Sequence, residues 1–271
     1  MKISYISDYK KFKEINKTLV LGYFDGLHKA HMELFNKAKE LAIQSHTPLS
    51  ILTFNKSYYE FKNNINLGSL TTINQKIELF QEFGFDELYI VELSQEFIDL
   101  SYQDFINIFL KDMKNIIVGF DYTFGKDGLG NANILSHTLS NITIISKISF
   151  ENDIKIGSET IKEYLKNGDL VNAQKLLDRP YIIEGTIHKK NKNYSFYTLN
   201  YIPRNGDYVL GLIDDNEMII FKAKIKSNTA ASEFLIKTDN IDFLNKKFIS
   251  HKYYKLSFKQ RISNNLWFII L

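Results

Sequence analysis

The sequence of 271 residues contains no cysteine, which excludes a disulfide scaffold, catalysis by a thiolate and metal sites held by cysteine. No apolar run is as long as a membrane helix, and the first residues lack the apolar stretch of a signal peptide. We therefore expect a soluble, cytoplasmic protein. Proline is also scarce, with 3 residues. Lysine, asparagine and isoleucine are abundant, and in this background we interpret Lys189 and Lys190 as solvated surface.

An excess of one charge is also missing, because 34 basic and 31 acidic residues leave a formal net charge of +3. The basic residues are spread along the chain, so we expect neither a nucleic acid nor a membrane as a partner. The small net charge does not exclude a locally positive pocket for a small anion. The hydrophobic fraction of 44% is enough for the core of one large domain or of two smaller ones.

One short segment, residues 22–31, follows an apolar run and precedes an amphipathic one. This pattern predicts a strand, a glycine turn and a helix. Gly22 and Gly26 let the backbone come close to a ligand, and the first turn of a helix offers free N–H groups and a positive dipole end. His28 and His31 are three residues apart, so they share one face and could donate hydrogen bonds to phosphate.

Such a junction alone is weak evidence, because many α/β domains use one only to turn the chain. The histidines favour a functional interpretation, since the chain has only 6 and two of them fall within one helical turn. A metal site formed by Asp25, His28 and His31 is an alternative. We rank it lower, because there is no cysteine and no further ligand cluster nearby.

Beyond this junction, apolar runs typical of buried strands alternate with segments of helical periodicity. The predicted strands are residues 18–21, 49–54, 88–91, 116–118 and 142–145. This alternation predicts an α/β domain with a parallel sheet covered on both faces. Ligands of such sheets bind beyond the carboxyl ends of the strands. We therefore predict site residues directly after strands: residues 22–31, Asn55 with Lys56, and residues 119–126.

A serine further along has two interpretations. Ser158 could cap a short helix that carries Lys162 one turn later, and the loop before it follows the last predicted strand. An ordinary capped surface helix would show the same pattern.

From about residue 179 the pattern changes to short apolar or alternating runs. Turns of Asn, Asp and Gly separate them, and Asp215-Asn216 is the clearest turn. This pattern predicts a small antiparallel β-barrel. We place the boundary at residue 178, which gives domains of residues 1–178 and 179–271.

Several segments in this order are similar to one known family. They are residues 22–31, Thr53-Phe54, residues 70–72 ahead of a Lys-Ile-Glu-Leu helix, residues 118–125 and residues 176–181. As a set, they resemble the bacterial bifunctional riboflavin kinase/FAD synthetase family over roughly residues 15–185.

The resemblance implies a Rossmann-like nucleotidyltransferase domain that adenylates FMN with ATP and Mg²⁺, giving FAD and pyrophosphate. It implies that His28, His31 and Asp121 are catalytic and that Asp121 also holds Mg²⁺. The ATP-binding residues implied are Gly22, Tyr23, Phe24, Asp25, Gly26, Ser158 and Lys162. The FMN-binding residues implied are Thr53, Phe54, Asn55, Phe124 and Gly125. From the residues alone, Asp121 could instead be a turn-forming residue.

Three positions depart from the family pattern: Ala30 replaces glycine, Glu159 replaces threonine and Lys162 replaces arginine. Lysine keeps the charge but loses the bidentate fork, and a carboxylate close to phosphates would repel them. We expect weakened or rearranged phosphate binding, with the chemistry retained.

In the second domain the likeness is faint. Thr198 and Asn200 align with the phosphate and Mg²⁺ ligands of the family's riboflavin kinase, and Glu233 aligns with its catalytic base. The flanking glycines and the proline are missing. We expect a shortened, divergent barrel with a structural or flavin-holding role. Two alternatives stay open: a bifunctional enzyme that also phosphorylates riboflavin to FMN, and a catalytically silent flavin-nucleotide binding protein in which Glu159 disrupts the phosphate site.

Overall fold

The computed structural model describes residues 1–147, 149–150, 154–190, 193–214, 217–228, 233–237 and 252–262. The chain forms two compact units. The first contains Met1–Ile65 and Ile73–Lys155, and the second contains Asn66–Thr72 and Ile156–Leu271. None of the helices in these described ranges has the length and apolarity that a membrane crossing requires.

A parallel six-stranded sheet forms the centre of the first unit. Its strands are β1 (Lys2–Ile6), β2 (Thr18–Leu21), β3 (Leu49–Phe54), β4 (Glu87–Val91), β5 (Asn115–Gly119) and β6 (Ile142–Ile145). Every residue of β2 is buried, because apolar clusters cover both faces of the sheet. The predicted parallel sheet is confirmed. Strand β1 was not predicted, and it pairs with β4 at one edge.

Helices follow most of these strands, as the alternation predicted. They are α1 (Lys29–Ser45), α2 (Tyr58–Asn63), α3 (Ile73–Phe83), α4 (Gln95–Ile98), α5 (Tyr102–Phe105) and α6 (Ala132–Thr138). A π-helical turn, Ile106–Leu110, continues α5. Two short antiparallel ladders pair Thr123–Phe124 with Gly130–Asn131 and Ser149–Phe150 with Ile154–Lys155.

The strand order of the sheet is β1-β4-β3-β2-β5-β6. Strand β2 therefore lies between β3, which follows it in the chain, and β5, which comes much later. This reversal of strand order is the switch point at which parallel sheets bind ligands, beyond the carboxyl ends of the strands. The segments after β2, β3 and β5 share this edge.

The second unit contains a closed antiparallel barrel, as predicted. Its strands are β7 (Tyr181–Lys190), β8 (Asn193–Thr198), β9 (Gly206–Asp214), β10 (Glu217–Asn228), β11 (Glu233–Lys237) and β12 (Tyr253–Ile262), in the order β7-β8-β11-β10-β9-β12. In β9, Tyr208, Leu210 and Leu212 alternate towards the core and are fully buried. The predicted Asp215-Asn216 turn lies outside the described residues.

Two helices, α7 (Ser158–Asn167) and α8 (Leu170–Leu177), also belong to the second unit, although the predicted boundary at residue 178 assigns them to the first domain. Helix α8 packs on β7 and β12 of the barrel. The Gln174 side chain donates a hydrogen bond of 2.7 Å to the Phe258 carbonyl. These contacts explain the difference, because the helical pattern does not show which layer a helix packs against.

Candidate active site

The turn after β2 contains three residues in the left-handed region, namely Phe24 (φ 56°), Gly26 (φ 84°) and Leu27 (φ 40°). The conformation of Phe24 is unusual for a bulky residue. Its ring packs against Phe35 with a centroid distance of 5.2 Å. A Cβ atom at Gly22 would lie 2.6 Å from this same ring. Gly22 is therefore required for the packing of Phe24, in addition to the predicted approach of a ligand.

The two histidines lie together at the start of α1. His28 is the N-cap residue, and its side chain makes no capping hydrogen bond. The rings of His28 and His31 stack with a centroid distance of 3.8 Å and an interplanar angle of 18°. The rings of Phe24 and His31 also form a T-shaped pair with a centroid distance of 5.2 Å. Both imidazoles are thus held at the positive end of a 17-residue helix, where an anion is stabilised.

The departure from the family pattern at Ala30 lies in the first turn of this helix and is half-buried. Alanine has the best helix propensity of all residues. The methyl group therefore does not strain the backbone of α1. Asp25, which precedes the helix in the turn, is buried.

The carbonyl of Tyr23 accepts hydrogen bonds from two side chains, one on β3 and one on α3. The Thr53 hydroxyl donates at 3.1 Å, and the Lys76 ammonium donates at 2.5 Å. Thr53 is fully buried, so its side chain supports the turn, and its contact with FMN stays a prediction. Sequence reasoning missed Lys76. One signal was present, because Lys76 lies four residues before the fully buried Phe80 and thus on the same helix face.

The loop after β5 contains the predicted catalytic carboxylate. Asp121 forms an ion pair of 3.0 Å with Lys155, and both side chains are 54% exposed. The Lys155 ammonium also lies 5.8 Å from the centroid of the Phe120 ring. Such an exposed pair contributes little to stability and exchanges readily. The Asp121 carboxylate is therefore accessible at the carboxyl edge of the sheet.

Two aromatic residues of the same loop, Tyr122 and Phe124, pack inwards. Phe124 is buried and stacks on Tyr122 with a centroid distance of 5.7 Å. Burial raises the pKa of the Tyr122 hydroxyl, which has no hydrogen-bond partner among the described residues. Gly125 (φ 72°) lies against Tyr102, whose backbone would be 2.8 Å from an added Cβ atom. Phe124 and Gly125 thus hold the loop in place.

The other predicted FMN residues follow β3. Phe54 is half-buried, and its ring lies 5.8 Å from that of Phe97. Asn55 is exposed, and its side-chain oxygen accepts a hydrogen bond of 3.1 Å from the Leu93 N–H. The topology brings these residues to the same edge as His28, and their contact with FMN stays a prediction.

The alternative of a metal site on the turn has no support in the geometry. No group of three or more His, Asp or Glu side chains that could hold a metal ion occurs in the described part of the chain, which includes Asp25, His28 and His31. A magnesium ion that arrives with phosphate groups needs fewer protein ligands, because it usually keeps several waters. Asp121 offers an oxygen ligand of that type.

The remaining predicted ATP residues lie on α7 in the second unit. Ser158 is the first residue of this helix, and Gly157 is its N-cap residue. The predicted capping role of Ser158 is therefore wrong, because the helix begins one residue earlier than expected. Glu159 is exposed. The Lys162 ammonium lies 5.8 Å from the centroid of the Tyr201 ring.

The three residues aligned with a kinase site also lie in the second unit. Thr198 and Asn200 are 5% and 2% exposed. The Thr198 hydroxyl donates to the Glu184 carbonyl at 2.7 Å, and the Asn200 side chain accepts from the Glu184 N–H at 2.9 Å. The Asn200 side chain also donates to the Leu70 carbonyl at 3.2 Å. Internal hydrogen bonds thus occupy both side chains.

The segment Asn66–Thr72 explains part of this arrangement. Ser69 forms a parallel bridge with Asn200, and its N–H donates to the Leu199 carbonyl at 3.0 Å. The Thr72 hydroxyl donates to the buried Glu184 carboxylate. Glu233, the predicted remnant of a catalytic base, pairs across the strands with Tyr197. Burial raises the pKa of Tyr197, and the neighbouring Glu233 adds to this effect.

Comparisons with known proteins show the family to which the chain is similar. Residues 10–161 match the family model described as FAD synthetase. A bifunctional riboflavin kinase/FMN adenylyltransferase of Listeria monocytogenes is 32% identical over 210 residues, 74% of this chain and 66% of that protein. The protein of the same name from Bacillus subtilis is 30% identical over the same shares. The chain thus matches less than two thirds of the length of these curated relatives.

A solved structure with a similar fold is known as well. The crystal structure of a protein named as a macrolide-efflux protein from Streptococcus pneumoniae aligns with a TM-score of 0.80 and 25% identity. The alignment covers 97% of this chain and 91% of that one. Both the sheet and the barrel therefore have counterparts in a solved protein.

Proposed function

The chain belongs to the FAD synthetase family, and on this premise we propose that it transfers the adenylyl group of ATP to FMN, giving FAD and pyrophosphate. One observation carries the proposal. The stacked pair His28 and His31 starts a helix directly after β2, and the Asp121 loop follows the neighbouring strand β5 at the same edge of the sheet. The switch point of a parallel sheet thus holds imidazole donors suited to phosphates and a carboxylate suited to the metal ion that accompanies them.

The transfer is an in-line substitution at phosphorus. A phosphate oxygen of FMN attacks the α-phosphorus of ATP, and the new P–O bond forms while the bond to the bridging oxygen breaks. Pyrophosphate leaves with the electron pair of that bond. Negative charge builds on the phosphoryl oxygens and on the leaving group, so hydrogen bonds from His28 and His31 and the positive dipole end of α1 stabilise the transition state.

Mg²⁺ fits the residues that are present. Asp121 is an accessible carboxylate, and one carboxylate together with phosphate oxygens and water is a common ligand set for this ion. When bound, Mg²⁺ supplies neutralisation of phosphate charge, and Asp121 is the residue that would hold it. Lys155 would then exchange its partner from Asp121 to a phosphate.

The barrel is proposed to lack riboflavin kinase activity. Thr198 and Asn200, the residues that resemble kinase ligands, are buried and hydrogen-bonded to Glu184 and Leu70. A nucleotide would have to break these bonds. We also propose that the protein acts in the cytoplasm on nucleotides and flavins, without a nucleic acid or a membrane.

The test is direct. The purified protein is incubated with FMN, ATP and Mg²⁺, and FAD is followed by chromatography, while a parallel reaction contains riboflavin in place of FMN. We expect FAD from FMN and no product from riboflavin. Absence of FAD, with FMN and ATP shown to bind by calorimetry, would indicate a silent flavin-nucleotide binding protein. Conversion of riboflavin would contradict the proposal for the barrel.

A further inference from the structure

Lys76 is a buried lysine in the first unit. It lies on α3, and only 2% of its surface is exposed. Removing an ammonium group from water is costly unless other groups compensate for the lost hydration. A lysine of this kind therefore indicates a specific task for the charge, and its contacts identify that task.

The Lys76 ammonium makes two contacts with Tyr23, in the turn after β2. The group donates to the Tyr23 carbonyl at 2.5 Å. It also lies 3.6 Å from the centroid of the Tyr23 ring, which is close enough for a cation–π interaction. The Thr53 hydroxyl donates to the same carbonyl at 3.1 Å. One backbone oxygen thus accepts from two buried donors.

Fixing this carbonyl also fixes the next N–H group. In a planar trans peptide the C=O and the N–H point in opposite directions, so the Phe24 N–H is directed away from Lys76 and Thr53. Within the described ranges this N–H donates no hydrogen bond. A donor at the carbonyl polarises the peptide and strengthens its N–H as a donor. The left-handed φ of 56° at Phe24 is costly for such a residue, and the same contacts help to hold it.

We propose that Lys76 is a positioning residue for the nucleotide: it holds the Tyr23–Phe24 peptide so that the Phe24 N–H is presented to a phosphate group of ATP. The inference rests on the proposed function, because it takes ATP as the ligand of the turn. The buried Lys76 ammonium orients the turn, and the Lys76 side chain itself touches neither substrate. Thr53 has the same task at the same carbonyl.

The experiment compares the full-length protein with Lys76→Met, which keeps an unbranched side chain one atom shorter and removes the donor and the charge. Affinities for a non-hydrolysable ATP analogue and for FMN are measured separately by calorimetry. We expect ATP binding to weaken about tenfold or more and FMN binding to change less than about threefold. Lys76→Arg, which keeps a donor and a charge, should recover part of the ATP affinity.

Lys39→Met is a matched control. The Lys39 ammonium also donates to a carbonyl, that of Phe83 at 3.3 Å, and it lies 5.1 Å from the Phe83 ring centroid, but it is exposed and far along α1. This variant should bind both ligands normally. Unchanged ATP affinity in Lys76→Met, or an equal loss for ATP and FMN, would overturn the inference, since a merely structural lysine affects both sites.

If Lys76→Met does not fold, Thr53→Val removes the second donor to the same carbonyl, and normal ATP affinity in Thr53→Val would overturn the inference. If the unmodified protein binds ATP but forms no FAD, the proposed function fails while the role of Lys76 in ATP binding is still measured.

Discussion

The turn after β2 and the turn around Asn200 both contain residues that resemble phosphate ligands, yet their hydrogen bonds differ. At the first turn the Phe24 N–H donates to no residue in the described part of the chain. At the second turn Thr198 and Asn200 bond to Glu184 and Leu70. Residue type alone therefore does not identify a ligand site, because a buried polar group that is already paired gains little from a ligand.

The largest expected effect concerns the first of these turns. His28→Ala and His31→Ala should each lower kcat/KM for FAD synthesis by about 30-fold to about 1,000-fold, equivalent to roughly 2–4 kcal/mol of transition-state stabilisation. The reason is the loss of a donor where negative charge builds during transfer. Steady-state kinetics with varied ATP and FMN would measure it.

His137→Ala is a suitable control for the histidine variants, because His137 is exposed on α6. It should leave the kinetics unchanged. A loss of ATP affinity as large as the loss of rate would show that the histidines bind the ground state, which contradicts a catalytic role.

The second effect concerns the turn around Asn200, whose polar side chains are hydrogen-bonded within the protein. Asn200→Ala would leave the Glu184 N–H and the Leu70 carbonyl without their partner, so we expect the free energy of unfolding to fall by about 1–3 kcal/mol. FAD synthesis by the folded protein should continue. Urea unfolding followed by circular dichroism would measure the stability.

Asn205→Ala offers a matched comparison for Asn200→Ala. The Asn205 side chain accepts from the Ser227 N–H at 2.7 Å, but the residue is exposed, and water can replace the lost bond. Its stability loss should be smaller. If Asn200→Ala were stable and lost a measurable riboflavin phosphorylation, the residue would be a kinase ligand and the comparison of the two turns would fail.

The difference between the turns could not be read from sequence. Helical and strand periodicity predicted the parallel sheet and the barrel, because those patterns reflect local geometry and burial. The pairing of Asn200 with Leu70 joins residues far apart in the chain. The same holds for the contact of Lys76 with Tyr23. The sequence pattern identified both turns as candidate phosphate sites. Only the tertiary structure showed that the polar side chains of the second turn are already hydrogen-bonded within the protein.

A third prediction concerns a residue that stabilises the sheet but lies away from the carboxyl ends of its strands, where the chemistry is proposed. Glu87 lies at the amino end of β4. It accepts hydrogen bonds from Lys17 at 2.5 Å, Tyr89 at 2.8 Å and Ser50 at 2.9 Å. Burial alone would raise the pKa of Glu87, but these bonds outweigh it and lower the pKa below 4.5. The carboxylate therefore stabilises the fold above that pH, and this contribution is lost as the pH falls through the lowered value.

Glu87→Gln should reduce the free energy of unfolding by about 1–2 kcal/mol at neutral pH, with unchanged FAD synthesis. The difference from the unmodified protein should shrink as the pH falls from 4.5 through the lowered pKa of the folded protein, because below that value the carboxyl is protonated in both the folded and the unfolded state. Glu40→Gln removes an exposed pair with Lys37 and should have a smaller effect. Equal losses at all pH values would show that the shape of the residue matters and its charge does not.

The smallest expected effect concerns α7, where the family pattern has threonine and arginine in place of Glu159 and Lys162. Glu159→Thr with Lys162→Arg should raise kcat/KM for ATP by up to about tenfold, because arginine restores a bidentate fork and the removed carboxylate no longer repels phosphate. The Lys162 charge also lies near the Tyr201 ring, on which arginine can stack. The single variants Glu159→Thr and Lys162→Arg, each assayed at two salt concentrations, would distinguish the loss of repulsion from the gain of a bidentate fork. Repulsion by an exposed carboxylate weakens at high salt. A gain from no activity to full activity would instead support a silent binding protein, in which α7 had lost the phosphate site.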